Sequence, residues 1–297
     1  MDKKLFPLTQ AQRRIWYTEL LFPDTTLSMM AGTMVMRGSI DASLLIQAVQ
    51  KLVKDHDAFR IRITEQHNQP VQWFEDESNI HPAIDYLEMP SRAEAEKWMQ
   101  HFCSSPINMF EINKYKIAIM KINDEEYWFN LKINHIIADG VSMYQACKYI
   151  MNNYMALKSG VNPLPVPKGT YMEYIHADHD YMKSERYQKD KSYWMKKFET
   201  LPEVTGVKHN SPDKPLTDAK RISISLNDEQ YRRLRAFSEA SNISVFVFFL
   251  TAMYLLLYKH TGNVDVPVGT VFANRTSRNE KEAIGIVCKH GCHPIVA

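Results

Sequence analysis

The sequence lacks the features that mark several large classes of protein. It contains no G-x-G-x-x-G, G-x-x-x-x-G-K-[ST], G-x-S-x-G or H-E-x-x-H segment, so dinucleotide-binding, P-loop, serine-hydrolase and zinc-peptidase interpretations have no signature to support them. Four cysteines among 297 residues are too few for a disulfide framework, which favours reduced thiols. The net charge of only +2 gives no reason to expect binding to nucleic acid or to an acidic membrane surface.

Long apolar runs and metal-binding motifs are also scarce. The N-terminal segment MDKKLFPLTQAQRR has no apolar core of signal-peptide length. The most apolar stretch, residues 243–258, is shorter than a membrane span usually needs, and we interpret it as a buried helix. The segment CKHGCH at 288–293 has no second half that would complete a zinc site. We therefore predict a cytoplasmic protein with no bound metal and no membrane partner.

The residues that are present predict an α+β chain. Apolar residues make up 45% of the sequence and charged residues 24%, which is typical of a globular protein with one large domain or two smaller ones. Helical spacing predicts helices near 10–20, 41–56, 91–104, 142–158, 170–199, 227–240 and 244–262. Alternation predicts strands at 58–65, 70–75, 115–123, 126–134, 219–226 and 265–272, and 205–219 is a polar loop. The proline-rich stretch SGVNPLPVPKG at 159–169 marks a boundary between two lobes.

The segment INHIIADGVSM at 133–143 follows a strand whose alternating pattern ends at a histidine. The two-residue period places His135 at the end of an apolar face and points Asn134 to the other face. The next helix is predicted to begin with Ser142 as its N-cap. Asp139 and Gly140 lie between the histidine and that helix.

Spacing alone leaves two interpretations of this segment open. In one, His135 is a packed core residue and Asp139-Gly140 an ordinary turn. In the other, the apolar wall leaves the charged imidazole poorly solvated, so that a neutral His135 is available as a base. Asp139 would then fix the loop by pairing with an arginine, and Gly140 would let another group approach the backbone.

Five motifs in order along the chain carry a resemblance that decides between these interpretations. INHIIADGVSM resembles the HHxxxDG signature of condensation domains in nonribosomal peptide synthetases, which are relatives of chloramphenicol acetyltransferase. LTQAQRRIWY at 8–17 and DHDAFRIRI at 55–63 are similar to that family's first and second motifs, S-x-A-Q-x-R-x-W and R-H-E-x-L-R-T-x-F. YMEYI at 171–175 lies where the Y-x-D-Y motif belongs, and VGTVFANRTSR at 268–278 where the approach to the fifth motif belongs. The segment YQKDKSYWMKKFE and the short lead before the first motif resemble initiating condensation domains of Bacillus-type lipopeptide synthetases such as surfactin synthetase.

The resemblance implies a fold, a reaction and partners. The fold is that of chloramphenicol acetyltransferase, with two lobes in a V-shaped pseudo-dimer and a tunnel between them. The reaction is attack by the amine of an acceptor aminoacyl thioester on a donor acyl thioester, which forms an amide. The substrates are tethered to phosphopantetheine (or to CoA) and no cofactor is bound directly. The implied partners are donor and acceptor carrier-protein domains and an adjacent adenylation domain.

The resemblance also assigns roles to single residues. His135 matches the family's second, catalytic histidine, which acts as a base or orients the amine. Asp139 matches its structural aspartate, paired in relatives with an arginine of the second motif, for which Arg60 is the match by position and Arg62 an alternative on the same strand face. The Gly140 backbone amide lies near the reacting carbonyl in relatives.

Asn134 departs from the family pattern, because the family has its first histidine there. Asn keeps a donor and an acceptor but cannot carry charge. Since its side chain points away from His135, we expect it to support the loop and the chemistry to be reduced, not abolished.

The C-terminal residues depart further from the family pattern. GIVCKHGCHPIVA at 285–297 resembles nothing in the family, but a one-nucleotide frame slip near Ile286 would restore an expected Leu-Phe-Val-Asn-Thr motif. We therefore expect an N-terminal lobe at 1–165, a partial and truncated C-terminal lobe at 166–285 and an out-of-frame tail at 286–297. Because the incomplete second lobe would impair positioning of the substrates, we expect this chain to be weakly active or inactive. Two alternative functions remain, a non-catalytic docking or scaffold fragment and a stand-alone acyltransferase that uses acyl-CoA.

Overall fold

The computed structural model describes residues 3–202 and 222–296, which form two compact units. The first unit comprises Met1–Tyr187 and Ala273–Lys289, and the second comprises Gln188–Phe272 and His290–Ala297. This division lies further along the chain than the predicted lobe boundary at 165/166, because the helix after the proline-rich stretch packs into the first unit and residues 273–289 return to it. The interpretation of 286–297 as an out-of-frame tail stays a prediction.

The helices of the described residues are α1 (Gln10–Leu21), α2 (Ala42–Asp55), α3 (Arg92–Ser104), α4 (Gly140–Lys158), α5 (Tyr171–Lys183), α6 (Glu185–Lys197), α7 (Asp228–Ala240), α8 (Val245–Thr261) and the short α9 (Arg278–Glu282). The strands are β1 (Phe6–Pro7), β2 (Met29–Arg37), β3 (Ile61–Gln66), β4 (Gln69–Phe74), β5 (Ile84–Glu88), β6 (Tyr115–Asn123), β7 (Glu126–Asn134), β8 (Asp265–Phe272) and β9 (Lys289–Val296). The predicted α+β class is confirmed.

A four-stranded sheet in the order β2-β7-β6-β5 forms the centre of the first unit. β7 pairs antiparallel with both β2 and β6, while β5 joins β6 in parallel. β7 is covered on both faces. Tyr127, Phe129, Leu131 and Ile133 join the main core, and Asn130, Lys132 and Asn134 are fully buried on the opposite face. The alternation predicted for this strand is therefore confirmed, and its last residue, Asn134, is fully buried on the face opposite the main core.

The best-defined sequence patterns give the predicted helices. α2 begins after Asp41, whose carboxylate accepts hydrogen bonds from the amides of Ser43 and Leu44, and it buries five apolar side chains against the core. α1 begins after Thr9 with a complete capping box to Gln12. In both helices the cap supplies acceptors for amides that lack a partner inside the helix.

The second unit corrects two predictions. The stretch 243–258 does form α8, but its expected burial is wrong, since only Tyr254 and Leu257 are buried and Phe246 is 61% exposed. The strand expected at 219–226 is absent from its described part, residues 222–226. Ile222 and Ile224 there are exposed, because no described strand pairs with them. Alternation alone does not make a strand without a neighbouring strand to bond. The predicted polar loop at 205–219 lies outside the described residues.

Over residues 3–202 and 222–296, no single helix has both the length and the apolar character to cross a membrane. α7 and α8 reach that composition only as a pair, bent by 96° where they meet.

Candidate active site

A five-residue loop, 135–139, connects β7 to α4 and carries the histidine that the sequence singles out. The N-cap of α4 is Asp139, two residues after the loop's Ile137, so the prediction of Ser142 as N-cap is wrong. The Asp139 Oδ1 atom accepts hydrogen bonds from the Ser142 amide at 2.9 Å and from the Ser142 hydroxyl at 2.8 Å. A carboxylate caps a helix well because it accepts from free amides at the positive end of the helix dipole.

Asp139 is held by a buried ion pair with Arg275. The Arg275 Nη2 atom lies 2.9 Å from Asp139 Oδ1 and 3.1 Å from Oδ2, and the two side chains are 3% and 1% exposed. The same guanidinium donates to the carbonyls of Glu280, Ala283 and Gly285. Arg275 thus joins the start of α4 to the returning segment 273–289.

The expected pairing of Asp139 with Arg60 or Arg62 is therefore wrong. Arg60 ends a short 3₁₀ turn and donates to the Glu75 carbonyl at 2.9 Å. Arg62 lies in β3 and donates to the carbonyl of Ile61. Both arginines are occupied on the β3–β4 side of the unit. Arg275 lies within the segment 268–278, where the approach to the fifth family motif belongs. Sequence spacing cannot predict which arginine from a distant part of the chain contacts the loop.

The surroundings of Asp139 keep its carboxyl ionised. Burial alone would raise its pKa, but the Arg275 guanidinium and hydrogen bonds from Ser142 and the Val287 amide hold the pKa below its usual value. The amides of Val287 and Cys288 each lie 3.1 Å from Oδ2. Every one of these groups donates a hydrogen bond to the Asp139 carboxylate. Together they stabilise its charged form in the protein interior.

Asn134 supports the loop, as the alternation of β7 predicts. Its Oδ1 atom accepts from the Ile136 amide at 2.9 Å, and its Nδ2 atom donates to Glu19 Oε1 and to the Ile107 carbonyl at 3.2 Å each. A fully buried amide side chain with these partners shapes the backbone around His135. Both polar atoms of the Asn134 side chain take part in these hydrogen bonds, so neither is available for proton transfer.

His135 stands just beyond the end of β7 and is partly exposed. Its backbone amide donates to the Ser28 carbonyl at 2.7 Å, which ties the loop to the residue before β2. Its Nδ1 atom is buried and has no hydrogen-bond partner among the described residues. A buried ring nitrogen without a partner is costly unless something else occupies it.

Gly140 is the first residue of α4, and its amide belongs to the first turn, which has no acceptor inside the helix. A methyl group in place of its hydrogen would meet no atom within 4 Å. A free amide at a helix N-terminus suits an incoming oxygen that carries negative charge.

Residues of the other motifs form hydrogen bonds around this loop. The sequence alone does not predict these contacts. The Gln12 amide pairs with that of Gln72 at 2.8 Å and also donates to the Ile136 carbonyl. Tyr171 contacts Thr9 through its hydroxyl and donates to the Ile286 carbonyl. The motifs are therefore parts of one hydrogen-bonded assembly that fixes the loop.

The described residues contain no cluster of three or more His, Cys, Asp or Glu side chains that could hold a metal ion. What the arrangement offers is an imidazole, a free helix-N-terminal amide and a rigid support for both. This set can manage a proton and receive a developing oxyanion.

A family model described as "Condensation domain" matches residues 2–288. The chain belongs to this family. Condensation domains are acyltransferases that catalyse amide bond formation, so the enzyme class expected from the motifs is confirmed at the level of the family.

Among curated relatives, this condensation domain is 31% identical over 294 residues to surfactin synthase subunit 1 of Bacillus subtilis (strain 168), with 96% of the chain and 8% of that protein covered. It is 30% identical over 290 residues to a plipastatin synthase protein of the same organism, with 96% and 11% covered. The chain therefore spans about a tenth of the length of these relatives, and the resemblance to lipopeptide synthetases is confirmed.

Solved structures show the same fold. The first condensation domain of the calcium-dependent antibiotic synthetase, in complex with a substrate analogue, superposes with a TM-score of 0.85 at 21% identity, with 97% of this chain and 69% of that one covered. The starter condensation domain of rhizomide synthetase, in a variant complexed with C8-CoA, gives a TM-score of 0.83 at 20% identity, with 97% and 66% covered. The expected chloramphenicol-acetyltransferase-like α+β fold is consistent with these matches.

Proposed function

We propose that this condensation domain forms an amide bond between a donor acyl thioester and the amine of an acceptor aminoacyl thioester, both tethered to carrier proteins through phosphopantetheine. The observation that carries the proposal is the buried ion pair between Asp139 and Arg275, called here the Asp139–Arg275 lock. It holds the short loop that has His135 at its start and is followed directly by the Gly140 amide. Family membership supplies the reaction class. The adjacent adenylation domain of a synthetase would supply the acceptor amino acid.

The amine nitrogen attacks the thioester carbonyl carbon, and the carbonyl oxygen gains negative charge. The Gly140 amide donates to that oxygen. His135 orients the amine or takes its proton, the carbon–sulfur bond breaks, and the proton ends on the departing thiol. The products are one amide and one thiol, so no acyl-enzyme is needed.

Positioning is the largest contribution we assign to the protein. A thioester is already activated, and holding amine and carbonyl in contact can replace a large part of the barrier. Proton management by His135 adds about 10²–10⁴-fold. Asp139, Arg275 and Asn134 act through the loop and touch no reacting atom.

An amide-forming assay tests this function. The chain is mixed with an aminoacyl-carrier acceptor and either an acyl-carrier or an acyl-CoA donor, and amide is measured by mass spectrometry. Gly140→Ala is compared with the native chain, because its methyl group meets no neighbouring atom and would crowd an oxygen that approaches the Gly140 amide. We expect amide from the native chain with the carrier donor, and a reduced rate with unchanged folding in the variant.

Two other outcomes identify the alternatives. Efficient amide formation with acyl-CoA alone would indicate a stand-alone acyltransferase. No amide from any donor with a folded native chain would contradict the proposal and favour a docking or scaffold role.

A further inference from the structure

A cavity lies in the first unit, on the side of α4 that faces the proline-rich crossing. Its volume is about 640 Å³, and its walls are one face of α4, residues 164–168 and α9. Cavities of roughly 300–1,000 Å³ are typical of sites for small molecules. None of its lining residues belongs to the loop 135–139.

The proline-rich wall of this cavity is held in place. Pro163, Pro165 and Pro167 have fixed φ angles and no amide hydrogen, so this stretch loses little freedom when something packs on it. The Leu164 amide donates to the buried Asn153 side chain at 2.9 Å, which ties the crossing to α4. The wall is therefore largely apolar and preformed.

The ring of His56 forms one wall of the cavity. The side chain is 4% exposed, and its Nε2 atom has no hydrogen-bond partner among the described residues. The ring packs edge-on against Tyr149 at 4.8 Å between centroids, and the Tyr149 hydroxyl donates to Asp55. The phenol is committed to Asp55 and the Nε2 atom is buried, so His56 and Tyr149 close this side of the cavity with their rings.

The rim of the cavity is positively charged. Lys148 and Lys168 both line it, and neither forms an ion pair within residues 3–202 and 222–296. Arg278 also lines it but pairs with Glu282 at 3.2 Å. Two uncompensated ammonium groups at the rim of an apolar cavity attract an anion and repel a cation.

We propose that this cavity binds a small-molecule carboxylate with an apolar body. The body packs between α4 and the proline-rich wall, and the carboxylate lies at the rim with Lys148 and Lys168. This site is separate from the amide-forming site, so its test does not depend on the proposed function.

Indole-3-acetate, naphthalene-1-acetate and tryptamine probe the two parts of this proposal by isothermal titration of the full chain. The first two probes carry an apolar body and a carboxylate, and the third replaces the carboxylate with an ammonium. We expect saturable one-site binding of both carboxylates and no binding of tryptamine.

Variants assign the binding to the cavity. Lys148→Glu and Lys168→Glu change the charge at the rim and should each weaken indole-3-acetate by about fivefold, while Lys97→Glu, on the exposed face of α3, should leave it unchanged. Equal binding of tryptamine, binding unchanged in both lysine variants, or no saturable binding at millimolar probe would overturn the proposal.

Discussion

The Arg275 guanidinium lies 2.9 Å from the Asp139 carboxylate across 136 residues of sequence, and both side chains are almost fully buried. The pair joins the first residue before α4 to a segment that also supplies amides to the same carboxylate. Because a buried charge is costly when its partner is removed, this contact is the strongest constraint on the loop that carries His135.

Arg275→Ala should lower the free energy of unfolding by about 3–5 kcal/mol, since it leaves the Asp139 carboxylate without its counter-charge. Denaturant unfolding followed by circular dichroism measures this. Arg60→Ala is the matched control and should cost clearly less, because Arg60 makes one hydrogen bond to a backbone carbonyl. Equal losses in the two variants would contradict the assigned pairing.

The contrast between Arg275 and Arg60 shows what the sequence can and cannot predict. Local patterns predicted α2 and the alternation of β7, because periodicity acts within a few residues. The identity of the arginine that reaches Asp139 depends on a contact across 136 residues, which no spacing rule encodes. The prediction that α8 is buried was wrong for a related reason. An apolar sequence shows that a helix can be buried, but it does not show which part of the chain covers it.

The candidate site was predictable where family motifs name residues. His135, Asn134, Asp139 and Gly140 lie together at the junction of β7 and α4, as expected from their order. Their support was not predictable. The contact of Gln12 with the Ile136 carbonyl, for example, joins residues that no local pattern connects.

Asn134→Ala should destabilise the chain by about 1–3 kcal/mol, because the buried Ile136 amide would lose its acceptor. Thermal or denaturant unfolding checks the value, with the exposed Gln100→Ala as a control of near-zero effect. A change as small as that of Gln100→Ala would show that water or another group replaces the Asn134 side chain, and the loop-supporting role would be wrong.

Gly285→Ala should also destabilise the chain, by about 1–3 kcal/mol. A methyl group at Gly285 would lie 2.0 Å from the Tyr171 Cδ2 atom, and Tyr171 is fully buried, so the ring must shift. Gly269→Ala is the matched control, because nothing lies within 4 Å of its added methyl. Unfolding curves that coincide for the two variants would contradict the close packing of Gly285 on Tyr171.

Acid should destabilise the chain through His56. Burial lowers the pKa of His56 from 6.5 to about 4, with nearby Asp55 opposing the shift and Lys51 adding to it. The folded protein holds this proton less tightly than the unfolded chain, so the free energy of unfolding falls as pH falls from 6.5 to 4. The loss from this one group is about 3 kcal/mol.

Comparison with His56→Gln isolates this effect from other titrating groups, including Asp57, whose pKa is raised by burial. The stability advantage of the native chain over His56→Gln should shrink by about 3 kcal/mol between pH 7 and pH 4. Gln100→Ala, at an exposed position on α3, changes no titrating group and should show a pH profile parallel to that of the native chain. A His56→Gln profile parallel to the native one would contradict the neutral, buried state of His56.

The single-turnover rate of amide formation by native chain and by His135→Ala tests the central claim most directly. Both proteins are assayed with the same acyl-carrier donor and aminoacyl-carrier acceptor, after circular dichroism confirms equal folding. We predict a rate about 10² or more times lower for His135→Ala, because the variant keeps the Asp139–Arg275 lock and the Gly140 amide but loses the imidazole. Equal rates for the two folded proteins would contradict the account.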